Sequence, residues 1–295
     1  MFSRLSHVGL DLTKSKLQLV EVVNESSKYC LENVDEHIFE EEFDFNATES
    51  KIISILQTSL DTLTERIQFK SKNISFTLPI SAFIFFEIPY EPSLSEKALE
   101  EHIKWEYSIL FPTHSIEKQI IRSHKLAGET NKNKILVIGV SRLLVESIFK
   151  FANQNNLNLI FVDNSHFASD ASINLSEKKA LSIYVSDSLF SISSYLDKNL
   201  KTIKMFKRKT NFDFLNSIEL FIDSENIAYD SVFIAGNDEV DELKIELESK
   251  LNIFAEIFNP FQSIQTSESF IQNAYFMNQP NSFSAAAGIS FRKFN

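Results

Sequence analysis

The spacing of apolar and polar positions changes several times along the chain, and the changes divide it. Residues 7–12 and 16–23 are two β-rich runs on either side of a short polar turn, and a third run extends over 28–39. After the acidic stretch Glu40-Glu41-Glu42, the residues Ile52, Leu56, Leu60, Leu63 and Ile67 recur at steps of four, four, three and four. That spacing puts all five on one face of an α-helix. A strand over 74–78 follows, and Pro79 closes the unit.

The pattern then shifts. A strand is expected over 83–90, and Ser93 and Glu96 have the spacing of a capping box before the next helix. That helix carries Ala98, Leu99, Ile103, Trp105 and Ile109 and must stop before Pro112. Strands at 117–125 and 134–140 are separated by Gly128-Glu129-Thr130-Asn131-Lys132-Asn133, the clearest turn signal in the chain. A helix over 142–153 buries Leu144, Ile148 and Phe151 or Ala152. Residues 80–156 thus read as a small inserted α+β unit. A strand at 157–162 returns to the main sheet, and a helix starts near Ser165.

The second part repeats the first. Strands are expected at 180–185, 189–196 and 200–206, a helix at 211–224, a strand at 231–235, a helix at 238–250 and a short strand at 252–256. Helices at 267–277 and 282–289 end the chain. Residues 7–23 and 180–196 share one layout: a β-rich run, a polar turn holding Asp and Ser, and a second alternating run. The echo predicts a duplicated α/β fold, with 7–79 superposing on 180–256 and two hairpin loops facing each other. The expected division is 1–79 with 157–176 and 278–295 as the first domain, 80–156 as the inserted one, and 177–277 as the second.

Composition narrows the function. The 295 residues suit about two domains, and a hydrophobic content of 43% is that of an ordinary globular chain. The net charge of −11, without a basic stripe interleaved with aromatics, argues against nucleic acid. The single Cys30 excludes an internal disulfide and suits a reducing cytoplasm. Residues 1–6 read as too short and polar for a signal peptide, and no apolar run approaches the ~20 residues of a membrane helix. The six histidines have no metal-ligand spacing, no catalytic motif is present, and no metal is expected. His102 reads as a satisfied core histidine, Trp105 as core more than docking platform, and Glu40-Glu41-Glu42 as solvated surface.

Six short segments, in order, resemble the PilM family of type IV pilus assembly proteins, in the actin-like (ribonuclease H-like) ATPase superfamily. They are Val8-Gly9-Leu10-Asp11 with Leu17-Gln18-Leu19-Val20-Glu21, Thr77-Leu78-Pro79-Ile80-Ser81, Leu94-Ser95-Glu96 with Ile103-Lys104-Trp105-Glu106, Phe161-Val162-Asp163, Asn259-Pro260-Phe261, and Ala286-Ala287-Gly288-Ile289-Ser290. The resemblance implies an actin-like fold with an inserted small domain. It also implies a protein that binds the cytoplasmic tail of a bitopic inner-membrane, PilN-like partner in a groove and links it to motor ATPases. Such a protein is cytoplasmic and reaches the inner membrane only through that partner; self-association is a further possibility.

In that family ATP lies between two phosphate loops, under an adenosine loop with paired glycines. Here the corresponding residues are Asp11, Thr13, Ser15 and Lys16 in the first loop, Asp187 and Ser188 in the second, and Gly236 and Asn237 in the third. The glycines expected after Asp11 are Leu12 and Thr13, the aspartate column of the second loop falls near Tyr184, and its glycine column falls near Ser186. Glycine lets backbone N–H groups approach a phosphate. Its loss points to a degenerate site, a pseudo-ATPase with no catalytic residue and no expected cofactor. The alternatives are a working ATPase that binds Mg·ATP, with Asp11 near the metal and Lys16 near a phosphate, and an FtsA-like membrane tether. The tail 291–295 is short for the latter. For the peptide groove the candidates are Phe83, Phe85, Ile88 and Trp105.

Overall fold

A computed structural model describes residues 5–25, 28–128, 133–173, 179–186, 189–207, 211–236, 240–262, 264–266, 276 and 278–292. The elements, in chain order, begin with strands β1 (Leu5–Leu12), β2 (Lys16–Glu25) and β3 (Lys28–Ile38), helix α1 (Glu49–Arg66) and strand β4 (Asn73–Leu78). Next come β5 (Phe83–Pro89), α2 (Glu96–Leu110), β6 (Gln119–Lys125), β7 (Lys134–Ser141) and α3 (Arg142–Gln154). β8 (Asn158–Asn164) and α4 (Ser165–Asp170) lead to the second part. There β9 (Lys179–Val185), β10 (Leu189–Leu196), β11 (Asn199–Lys207), α5 (Asn211–Glu225), β12 (Ser231–Gly236), α6 (Val240–Leu251) and β13 (Glu256–Ile257) follow in turn. β14 (Gln265–Thr266) and α7 (Ser284–Phe291) come last.

The duplication is explicit in the sheets. One has the order β14-β3-β2-β1-β4-β8, the other β11-β10-β9-β12-β13. Setting β14 aside, β1, β2, β3, β4 and β8 hold the places of β9, β10, β11, β12 and β13. In each half the first two pairings are antiparallel and the others parallel. The two β-turn-β units thus lie in different sheets, as their repetition predicted. Each sheet has its own core. In the first, Leu10, Leu12, Leu17 and Phe76 meet Ile52, Leu56 and Leu63 from the predicted face of α1. In the second, Ile183, Phe190, Ile192 and Ile234 meet Phe214, Ile218, Leu243 and Leu247.

A third sheet, β5-β7-β6, belongs to the inserted unit. Alternation along β5 sends Ile88 and Phe86 under α2, with Ile103, Ile135 and Val137, while Phe85 and Ile138 face the second half at Tyr195, Leu200 and Ile203. The backbone N–H of Ala127 donates to the Leu200 carbonyl at 2.7 Å, and the Thr202 hydroxyl donates to Glu87 at 2.7 Å. α3 buries Leu144, Ile148, Phe151 and Ala152 in the first-half core. Counted along the chain it belongs to the inserted unit, but its apolar stripe faces α1.

Three local expectations differ from the structure. The N-cap of α2 is Ser95, whose hydroxyl accepts from the Ala98 N–H at 3.2 Å, and Ser93 turns instead toward Glu91. The last strand of the second sheet starts at Glu256, because α6 is left through Asn252 at φ +53°. The last helix begins at Ser284, after a 3-10 turn. The helix expected at 267–277 lies outside the described residues except at 276.

Candidate functional site

The two halves meet at a cleft lined by Asp11, Thr13, Lys14, Lys16, Gln18, Pro79, Ser81, Ser165, Tyr184, Val185, Ser186, Gly236 and Ser282. The topology brings all three loops named from the sequence to this one place. Of the described members of the expected set, Asp11, Thr13, Lys16 and Gly236 line it and Ser15 does not. Ser15 sits in the same turn, hydrogen-bonded to Thr13. Asp187, Ser188 and Asn237 lie outside the described residues.

The first loop is closed upon itself. The Thr13 N–H donates to the Lys16 carbonyl at 2.9 Å, and the Thr13 hydroxyl donates to that same carbonyl at 3.1 Å. The hydroxyl oxygen also accepts from the N–H groups of Lys16, at 3.0 Å, and Ser15, at 3.3 Å. Thus the N–H groups of Thr13, Ser15 and Lys16 are satisfied within the turn, where a phosphate loop leaves such groups pointing outward. Leu12 is fully buried in the core, so the chain cannot give it up to form a wider loop.

Asp11 is 1% exposed. Its Oδ1 accepts from the Thr77 hydroxyl at 2.5 Å and the Ser165 hydroxyl at 2.8 Å. Lys16 donates to Glu36 at 3.0 Å, and Gln18 donates to the same oxygen at 3.0 Å. Asp11 and Lys16 are therefore held by neighbours, while Lys14 lines the cleft with a 3.9 Å pair to the exposed Glu42. Among the described residues no cluster of three metal-binding side chains exists.

The flanks of the second loop repeat one bond pair of the first. The Ser186 N–H donates to the Leu189 carbonyl at 2.9 Å and its hydroxyl donates there at 2.7 Å. Ser186 is thus the structural counterpart of Thr13, and two residues earlier Tyr184 stands where Asp11 stands. Tyr184 is 7% exposed and stacks on the His166 ring, with centroids 5.6 Å apart. An aromatic ring thus occupies the position that Asp11 holds in the first half. In the third loop Gly236 has φ +112°, and a Cβ there would collide with the Val185 carbonyl. Its glycine is required by the backbone of the cleft itself.

Sequence reasoning missed the buried polar seam beside the cleft. His166, fully buried, has Nδ1 2.7 Å from Ser191 Oγ and Nε2 3.1 Å from Ser182 Oγ. Asp170 accepts from Ser182 at 2.5 Å and from Tyr195 at 2.6 Å. Burial lowers the His166 pKa against the opposing pull of Asp170; burial first, then Asp170, raises that of Tyr195 well above the tyrosine range. The only sequence signal is the i, i+4 spacing of His166 and Asp170, because the serines come from the strands of the second sheet.

The groove candidates separate. Phe83 is buried in the first-half core and Ile88 under α2, at 9% and 2% exposure, while Phe85 is half-buried against Phe167. These three pack the inserted sheet, because β5 is covered on both faces. Trp105 is 58% exposed, which corrects the core reading; Ile109, one turn on, is also exposed, and His102 stacks on the indole. His102 is half-buried and bonded to the Pro89 carbonyl, a surface histidine more than a core one.

The model of one family, described as "Type IV pilus assembly protein PilM", matches residues 9–193. No curated protein matches the chain. Among solved structures the chain is similar to one described as a PilM-PilN type IV pilus biogenesis complex, with TM-score 0.74 at 14% identity, covering 99% of this chain and 100% of that one. It is also similar to a Bacteroides thetaiotaomicron protein of actin-like ATPase fold and unknown function, with TM-score 0.51, 16% identity and coverages of 88% and 92%. A third is the cytoplasmic domain of EpsL, an inner-membrane component of the type II secretion system of Vibrio cholerae, with TM-score 0.50, 8% identity and 89% coverage of each chain. With a family match over well over half its length and the duplicated sheet order of the actin-like fold, the chain belongs to the PilM family of type IV pilus assembly proteins.

Proposed function

We propose that this protein is a non-catalytic adaptor of a bacterial type IV pilus or related secretion machine. It binds the cytoplasmic tail of a PilN-like bitopic inner-membrane protein and carries a degenerate nucleotide site. The observation that carries the reading is the self-closure of the first hairpin, where the Thr13 hydroxyl accepts from the Ser15 and Lys16 N–H groups and Asp11 is already engaged by Thr77 and Ser165, with Tyr184 at the matching position of the second half. With Asp11 and Lys16 engaged internally, the protein acts through a surface. The structural neighbour described as a PilM-PilN complex supports a PilN-like partner.

The exposed strip on α2, with Trp105 and Ile109, supports a docking role for the inserted unit, with 80–156 as one domain between two actin-like halves. An extended tail gains affinity from backbone pairing and apolar pockets, without catalysis. Among the described residues no helix is long and apolar enough to cross a membrane, so membrane association is assigned to the partner. Contact with motor ATPases and self-association belong to the same reading. The test is co-purification with the tail of the PilN-like protein from the same genome. Retention by the wild type and loss on Trp105→Asp support the reading; a wild type that retains no tail refutes it.

A further inference from the structure

α4 is six residues long, yet it is bonded to both halves. At its start the Ser165 hydroxyl donates to Asp11, on β1, and lies 3.0 Å from the Leu78 carbonyl, at the end of β4. On its other side His166 and Asp170 reach Ser182 on β9 and Ser191 and Tyr195 on β10. One arrangement of protons satisfies every contact: Ser191 donates to Nδ1 of His166, Nε2–H donates to Ser182, and Ser182 and Tyr195 donate to the Asp170 carboxyl oxygens.

All of these side chains except Tyr195, at 9% exposure, are 4% exposed or less. Along this part of the seam the halves are therefore joined by hydroxyls, an imidazole and a carboxylate. A polar seam is orientation-dependent: its bonds hold at one angle, and water can replace them when the halves part. The cleft is wired to the same helix from both walls, through Asp11 on one side and the Tyr184 ring stacked on His166 on the other. α7 backs α4 so closely that a Cβ at Gly288 would strike the Ala168 carbonyl, which leaves α4 no room to recede.

We propose that α4 is a latch between the two halves, clamped to the second sheet by His166 and Asp170 and to the first by Ser165, and that these bonds hold the cleft shut. Releasing either end lets the halves rotate apart. This conformational control is independent of the partner-binding reading, since it concerns the angle between halves and not the α2 surface.

The test uses the full chain with Cys30→Ser, and spin labels at Glu40→Cys in the first half and Asp241→Cys in the second, both exposed positions. The wild-type background should give one narrow inter-label distance. Asp170→Asn, Tyr195→Phe and Ser165→Ala should each raise a longer-distance population about tenfold, as expected when one hydrogen bond to a charged group is lost from one of two states. Tyr195→Phe keeps the ring, so it serves if Asp170→Asn does not fold. Leu247→Ala, in the second-half core, is the control for plain destabilisation. Seam variants that melt earlier with an unchanged distance distribution overturn the latch. So does a control that broadens the distances as much as they do.

Discussion

Thr13 and Ser186 are the same residue of one hairpin built twice. Each donates its N–H and its hydroxyl to the carbonyl three residues on, Lys16 in one case and Leu189 in the other. The equivalence fixes the alignment of the two halves and pairs Asp11 with Tyr184. In the first hairpin the hydroxyl also accepts from the Ser15 and Lys16 N–H groups, so that turn closes without glycine.

Thr13→Ala should therefore act on stability and not on nucleotide. Its hydroxyl serves two backbone N–H groups, so the loss should be about 1–2 kcal/mol in denaturant unfolding. Mg·ATP should raise the melting temperature of neither wild type nor variant. Stabilisation of the wild type by Mg·ATP that vanishes in Asp11→Ala would instead establish a working site.

Gly236→Ala should be among the most damaging single-atom changes outside the cores. At φ +112° an alanine is strained, and its Cβ would meet the Val185 carbonyl of the neighbouring strand. The expected cost is on the order of 2–3 kcal/mol. Chemical denaturation reads it, and a change below about 0.5 kcal/mol would mean the strand end shifts freely.

The pH dependence of stability should carry the mark of His166. Its folded pKa is lowered by burial, so below the ordinary value of about 6.5 the unfolded chain binds the proton first. Stability from this group is then present above that pH and lost as the pH falls toward the folded value. The groups facing it are Asp170 on its own helix and Tyr184 on β9, and Asp170 opposes the shift. Asp163 has the opposite sign, its pKa raised by burial despite the Arg292 beside it, and it acts in the more acidic carboxylate range. Calorimetry from pH 7.5 to 5.5 should show a falling melting temperature, and His166→Gln should flatten that slope.

Much of this fold is legible in the chain because its signals are local. The i, i+4 spacing from Ile52 to Leu63 gives α1 its buried face, and the repeated strand-turn-strand gives the duplication. Trp105 misled because it lies among apolar positions of α2. A three-stranded sheet buries only one narrow stripe of that helix, with Ile103 and Tyr107 fully inside, and leaves Trp105 and Ile109 outside. The His166 seam was illegible for another reason. Its partners Ser182 and Ser191 lie 16 and 25 residues away, and serines carry no periodic signal. Likewise the loops could be matched by residue type, but only the geometry shows Asp11 already engaged by Thr77 and Ser165.

Trp105→Asp and Ile109→Asp should separate binding from folding. Both residues are more than half exposed, so each change should alter stability by less than about 0.5 kcal/mol. Each should weaken capture of a PilN-like tail at least tenfold, with little change when salt is raised, because the contact is apolar. Affinity unchanged in both variants would move the docking surface off α2.

The central claim is that the protein works by holding a membrane partner's tail, without nucleotide. Calorimetric titration of the synthetic cytoplasmic tail of the PilN-like protein into the full chain, with and without Mg·ATP, tests it most directly. The account predicts saturable one-to-one binding whose affinity is the same in both conditions. Binding that appears only with Mg·ATP, or no binding in either, would contradict it.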